Sequence, residues 1–291
     1  MKPFDYESPS TIQEATALLE QHGDDARVLA GGTDIIVQLR EGLRDAEIVI
    51  DVKKIPELTA LDLCNEGGLT LGASTPCCDV YETPDVAAAY PALADSAHIV
   101  GGWQIQSRAS VGGNLCNSSP AADTIPSLIA HNAICIIEGP TGSREVAAQD
   151  FCTAPGRNVL ESGELLVTLK LPAVSDSESS AYERFIPRNE MDIAVAGAAS
   201  WIKLGDDGNI ADARIALSAV AAIPQFAQEA SEYLVGKAPT EENFSQAGEL
   251  AKNVASPIDD MRGTVEYRVN LVGVLVKRTL ATALTRIQGD G

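Results

Sequence analysis

"ARVLAGGTD", Ala26 to Asp34, reads as a short buried strand running into a glycine turn, and the segments on either side of it set the fold. Before it, "STIQEATALLEQHG" (10–23) places apolar residues at 12, 15, 18 and 19, carries Glu14 in its first turn and stops at a glycine. That pattern predicts a capped amphipathic helix. After it, "IIVQLREGL" is helix-compatible and "AEIVIDV" (46–52) reads as a second strand. Strands separated by a helix pair in parallel through a right-handed crossover, so the Gly31-Gly32 turn belongs at the carboxyl end of its strand. Ligand crevices in open α/β sheets lie at that end.

Farther along, residues 58–76 alternate around Gly67-Gly68, a hairpin signal, and helical spacing runs from about Val80 to Val100. "DTIPSLIAHNAICIIEG" reads as a helix entering a buried strand, and "ELLVTLKLP" (164–172) as a strong strand closed by proline. The polar "AVSDSESS" that follows lacks periodicity and marks the main domain boundary. Beyond it, "AYERFIPRNEMDIAVAGAASWIKLGDDGNIADARIALSAVAAIP" alternates like an antiparallel meander with "GDDGN" as its turn, and Thr240 to Ile287 is mostly helical by pattern. The expected class is α+β.

Composition narrows the function. A chain of 291 residues is long enough for two or three domains, and its net charge of −20 argues against nucleic acid or an anionic membrane surface as the main partner. No apolar run approaches the roughly 20 residues of a membrane-spanning helix. "MKPFDYESPS" has no hydrophobic segment behind its lysine, which predicts a cytoplasmic protein without an integral membrane segment. The six cysteines (64, 77, 78, 116, 135, 152) form no C-x-x-C pair, and His22, His98 and His131 lie far apart, so no metal site is expected. G-x-S-x-G, G-x-G-x-x-G after the first strand, and the P-loop signature are all missing.

Of the chain's four Gly-Gly pairs, two stand in stretches that follow apolar segments and lead into small polar residues, "VLAGGTDI" (28–35) and "SVGGNLCNSSPAAD" (110–123). At the first, Thr33 and Asp34 follow the glycines and leave consecutive backbone N–H groups available. At the second, Ser110, Asn114, Asn117 and Ser119 are neutral hydrogen-bond partners, and Asp123 can accept from a ribose hydroxyl or an adenine amine. Glycine permits the turns and close approach that a backbone phosphate cradle needs, so two such loops could hold one pyrophosphate from both sides without any lysine. Two polar loops of an ordinary α/β protein would show the same spacing.

These two stretches, together with "GELLVTLKLP" and "AYERFIPRNEMDIAVAG", resemble the FAD-binding medium subunit of the molybdenum hydroxylase family, the carbon monoxide dehydrogenase and xanthine dehydrogenase type, over essentially the whole chain. The resemblance implies a two-subdomain FAD-binding fold of the vanillyl-alcohol oxidase (PCMH) type over residues 1–174, with subdomains of about 1–55 and 56–174. A C-terminal antiparallel sheet with helices would follow over 179–287.

It implies that Val28, Leu29, Ala30, Gly31, Gly32, Thr33, Asp34 and Ile35 wrap the FAD pyrophosphate, with Ser110, Val111, Gly112, Gly113 and Asn114 opposite and Asn117 and Ser119 beside them. Asp123 would meet the ribose or adenosine, Val100 and Leu166 would line the site, and Arg184 would lie near the flavin. Ile193 would lie close to the isoalloxazine, where some members carry an aromatic ring that this chain lacks. Plainer alternatives exist: Leu166, Val100 and Ile193 as core residues, Arg184 as a solvated strand residue, and Asp123 as the cap of a helix beginning near Thr124.

The implied partners are a molybdopterin-binding large subunit and a 2Fe-2S small subunit, arranged as a dimer of heterotrimers. Electrons would arrive from iron–sulfur clusters on another chain and leave to an external acceptor, with no catalytic acid or base required of this chain. Two other readings stand beside this one: a self-sufficient FAD-dependent oxidase or reductase of the same fold, and a flavin-free scaffold subunit.

Overall fold

The computed structural model describes residues 1–64, 66–188 and 190–289; Asn65 and Asn189, inside the hairpin and meander stretches, lie outside the described residues. The chain opens with a short strand that the sequence pattern did not announce, β1 (Asp5–Glu7), followed by α1 (Ile12–His22), β2 (Ala26–Leu29), α2 (Ile35–Arg40) and β3 (Ile48–Asp51). Helix α1 forms as its pattern predicts. Thr11 accepts from the Glu14 N–H, the Glu14 carboxylate accepts from the Ser10 N–H, and Ala15 and Leu19 are buried. The three strands make a parallel sheet in the order β1-β3-β2, and Val52 extends the pairing by donating to the Leu29 carbonyl at 3.2 Å.

A second, antiparallel sheet follows. Strands β4 (Leu61–Cys64) and β5 (Gly68–Gly72) form the expected hairpin. The helical spacing expected from about Val80 to Val100 is carried by three helices, α3 (Cys77–Glu82), α4 (Pro84–Ala89) and α5 (Pro91–Ala97), because Pro84 and Pro91 each start a new helix at the position where a missing N–H is tolerated. Next come α6 (Trp103–Gln106), α7 (Val111–Asn117) and α8 (Thr124–Ala130). Strands β6 (Ile134–Gly139) and β7 (Gly142–Ala147), α9 (Ala148–Phe151), the small pair β8 (Cys152–Ala154) and β9 (Arg157–Asn158), and β10 (Leu165–Leu171) complete this part. Its sheet order is β4-β5-β10-β6-β7. The core of this part gathers Leu69, Leu71, Leu93, Leu115, Leu128 and Leu169 from both sheet and helices.

The C-terminal meander is β11 (Glu178–Phe185), β12 (Ala196–Leu204), β13 (Ile210–Ser218) and β14 (Gln225–Phe226), each antiparallel to the next. The last residues of the supposed aperiodic "AVSDSESS" belong to β11, since pairing with β12 rather than a hydrophobic period makes them a strand. Helices α10 (Gln228–Leu234), α11 (Glu241–Ala251) and α12 (Val265–Gln288) cover this sheet, with Leu271, Val272, Leu275 and Val276 buried against Ala198, Ile202 and Ile215. No helix of the described residues is long and apolar enough to cross a membrane.

His131, at the end of α8, is buried between this sheet and the middle region, edge-on to Tyr90 and 3.0 Å from Ser180 Oγ. Burial drives its pKa down from 6.5 to about 3. Stability from a histidine kept neutral is complete above about pH 6.5 and is lost as pH falls toward its folded value, at up to about 1.4 kcal/mol per pH unit. Urea midpoints of wild type should therefore fall more steeply from pH 7 to pH 4 than those of a His131→Gln chain. Equal slopes would contradict this.

Candidate functional site

The carboxyl ends of β2 and β3 meet the antiparallel sheet at a cleft of about 250 Å³. Whole small-molecule pockets run from about 300 to 1,000 Å³. The cleft is therefore smaller than a pocket that swallows a drug-sized ligand whole. One wall is the loop Ala30–Asp34 that joins β2 to α2; the other is the start of α7; Val28, Val52, Leu58, Ala73, Val100, Leu165 and Leu166 supply apolar surface.

The two walls are locked together by contact. A Cβ on Gly31 would stand 1.8 Å from the Arg108 carbonyl oxygen, so only glycine lets these backbones meet. Gly32, with φ at +80°, makes the reversal that sends the chain into α2. The Gln38 side-chain amide donates to Asn117 Oδ1 at 3.0 Å, tying α2 to α7.

The second glycine pair differs from its sequence reading. Residues 110–114 are not a φ-positive turn: Gly112 and Gly113 lie in the first turn of α7, capped by Ser110, whose Oγ accepts from the Gly113 N–H at 3.1 Å. The Ser110 cap starts the helix here, and Gly112 is needed within it because a Cβ would stand 2.5 Å from the Ala73 carbonyl oxygen. Glycine serves a close crossing rather than an unusual backbone angle.

The donor set of the cleft is its distinguishing feature. None of the five consecutive backbone N–H groups from Ala30 to Asp34 donates a hydrogen bond among the described residues. Two buried side-chain atoms of residues lining the cleft, Ser74 Oγ and Arg27 Nε, likewise have no partner. Ala30–Thr33 are half-buried and Asp34 is exposed, so their N–H groups are open to a ligand or to water, whereas unpartnered buried atoms such as Ser74 Oγ and Arg27 Nε are uncommon in folded proteins. Two acids also line the cleft: desolvation raises the Asp34 carboxyl, and Glu164, held low by its hydrogen bonds from Arg144, accepts that guanidinium at 2.6 Å on each oxygen.

Of the expected site residues, Val28, Ala30, Gly31, Gly32, Thr33, Asp34, Ile35, Val100, Ser110, Gly112, Gly113, Asn114, Asn117 and Leu166 line this cleft. Leu29, Val111, Ser119, Asp123, Arg184 and Ile193 do not. Leu29 ends β2, the Val111 side chain is buried in the core, and Ile193 is half exposed. Ser119 Oγ accepts from the Ala121 N–H.

Asp123 and Arg184 find each other instead: the guanidinium donates to the carboxylate at 2.7 Å, Tyr182 Oη donates to its other oxygen at 2.9 Å, and both charged side chains are over nine-tenths buried. Burial raises the Asp123 carboxyl against the opposing pull of Arg184 and Tyr182. Asp123 does not cap α8 either, a role taken by Asn114 Oδ1, which accepts from the Thr124 N–H and hydroxyl. Sequence reading missed Arg27, Gln38 and Ser74: Arg27 and Gln38 flank the 28–35 motif without belonging to it, and Ser74 is brought to the cleft only by folding.

Free amides, a hydroxyl and a guanidinium nitrogen around one cleft, with apolar surface beside them, are the groups a phosphorylated ligand pairs with. The comparisons with known proteins then give the family. Residues 2–174 match the FAD binding domain in molybdopterin dehydrogenase, and residues 180–283 match the CO dehydrogenase flavoprotein C-terminal domain. The carbon monoxide dehydrogenase medium chain of Hydrogenophaga pseudoflava is 34% identical over 97% of this chain and 98% of its own length. The putative xanthine dehydrogenase FAD-binding subunit of Escherichia coli K12 is 29% identical over 98% of this chain and 97% of its own. A solved structure of the H. pseudoflava carbon monoxide dehydrogenase contains a chain that superposes with a TM-score of 0.93 at 34% identity, covering 98% of this chain and 99% of that one.

The chain belongs to the family of FAD-binding subunits of molybdopterin dehydrogenases. The cleft fits the cofactor, because a pyrophosphate accepts from backbone N–H groups and a hydroxyl and is attracted by a guanidinium.

Proposed function

We propose that this chain is the FAD-binding electron-transfer subunit of a heteromeric molybdenum hydroxylase, passing electrons from iron–sulfur clusters on a partner subunit to an external acceptor in the cytoplasm. The observation that carries this is the run of unpartnered N–H groups from Ala30 to Asp34 facing the start of α7. In this reading residues 1–174 are the FAD-binding unit and 179–287 the C-terminal unit. The partners are a molybdopterin-binding large subunit and a 2Fe-2S small subunit, assembled as a dimer of heterotrimers. The designations "medium chain" and "FAD-binding subunit" of its relatives support a place in a multi-subunit enzyme.

FAD supplies the electron-carrying chemistry when bound. The chain's own residues bind and orient it: Ala30–Asp34 hold the pyrophosphate, Ser110 fixes the start of α7 against it, and Val100 and Leu166 exclude water beside it. No acid or base on the chain is needed for that task. Mixing the FAD-loaded chain anaerobically with a dithionite-reduced 2Fe-2S partner subunit, freed of excess reductant, is expected to bleach the flavin's visible absorbance. Bleaching by an organic substrate with the chain alone would instead identify a self-sufficient oxidoreductase.

A further inference from the structure

Lys53 lies one residue beyond the Val52 that still pairs with β2, outside the wall of the cleft. Its ammonium donates to the Ala30 carbonyl oxygen at 2.9 Å and to Asp51 Oδ1 at 2.7 Å. Asp51 is anchored in turn, since its other oxygen accepts from Tyr6 Oη at 2.7 Å and Oδ1 also accepts from the Lys53 N–H at 3.1 Å. Tyr6 belongs to β1, which pairs with β3. A chain of contacts thus runs from the first strand through Asp51 and Lys53 to the peptide that opens the cofactor loop.

A trans peptide is planar, with its carbonyl and N–H pointing in opposite directions, and no cis peptide occurs among the described residues. Fixing the Ala30 carbonyl on Lys53, a residue that does not line the cleft, therefore fixes where the Gly31 N–H points. That N–H has no partner among the described residues. We propose that Lys53, held by Asp51 and Tyr6, is a positioning residue for the phosphate cradle: it turns the Ala30–Gly31 peptide so that its N–H faces the cofactor's pyrophosphate. Lys53 has this role only if FAD occupies the cleft as proposed above.

A plain electrostatic role for these residues makes the opposite prediction at one position. If Lys53 and Asp51 acted only through their charges, removing the Asp51 anion would strengthen binding of a doubly negative pyrophosphate. Positioning requires that it weaken binding, because Lys53 loses its anchor.

The test is a flavin-fluorescence titration of the deflavinated chain with FAD at low and at molar salt, with thermal melting to confirm that each variant is folded. Lys53→Met is expected to raise Kd about 10- to 100-fold, the range of one charged hydrogen bond, by the same factor at both salt levels. Asp51→Asn and Tyr6→Phe are expected to raise it in the same direction by less, and Lys53→Arg to restore most of the affinity.

Tighter binding by Asp51→Asn, or a Lys53→Met effect that vanishes in molar salt, would overturn the positioning role. If Lys53→Met does not fold, Asp51→Asn and Tyr6→Phe decide alone. Wild type that binds no FAD refutes the functional reading itself; wild type that binds while all variants match it refutes only the role of Lys53.

Discussion

Replacing Gly31 with alanine, the smallest change available, is expected to raise the Kd for FAD by about 100-fold or more while the chain stays folded. The added methyl would lie 1.8 Å from the Arg108 carbonyl oxygen and 2.9 Å from the Ala109 nitrogen, and both obstacles are backbone. The loop Ala30–Asp34 and the stretch leading into α7 must then part. Each amide that loses its phosphate oxygen forfeits a charged hydrogen bond of about 1.5–3 kcal/mol, so misaligning two of them already gives a loss of that size. Gly67→Ala is the control, since its methyl would meet only Cys64 at an ordinary 3.7 Å. Fluorescence titration of both variants makes the comparison, and a Gly31→Ala chain binding FAD within about threefold of wild type would contradict the two-walled cradle.

Asp123→Ala is expected to destabilise the chain by about 3–5 kcal/mol in urea unfolding, the usual penalty for stranding one member of a buried ion pair. Arg184 would remain, with its side chain 5% exposed and its Nε already without a partner. Total stabilities of about 5–15 kcal/mol make this a large fraction. The loss has a defined place, because Asp123 precedes α8 whereas Tyr182 and Arg184 sit on β11, so the cluster joins the middle region to the C-terminal sheet. Replacing both charges, Asp123→Ala with Arg184→Met, should recover most of the loss, since no charge is then left buried. A single variant costing under about 1 kcal/mol would show that the pair does not bind the two regions together.

Local pattern carried the first half of the fold. The period and caps of α1, and the two β-rich segments flanking α2, are short-range signals, and the parallel pairing of β2 with β3 follows from chain connectivity alone. Strand β1 was not legible, for a three-residue edge strand has no period to read and exists only because β3 lies beside it. The stretch at 110–114 was misread as a turn for a related reason: glycine signals both backbone freedom and close approach, and only the position of Ala73 tells which applies. At the site, the run 28–35 declared itself through its own residues. Arg27, Ser74 and Lys53 did not, because their roles depend on partners brought in by folding. The pairing of Asp123 with Arg184, 61 residues apart, is likewise a tertiary fact.

Purifying the chain without added cofactor, recording its visible spectrum and identifying by chromatography any flavin released on heating tests the central claim most directly. The cradle from Ala30 to Asp34 predicts FAD, one per chain, and predicts that the Gly31→Ala chain purified in parallel is colourless. A colourless wild-type chain that also fails to bind FAD on titration, or one that holds riboflavin as readily as FAD, would contradict a site built around the pyrophosphate.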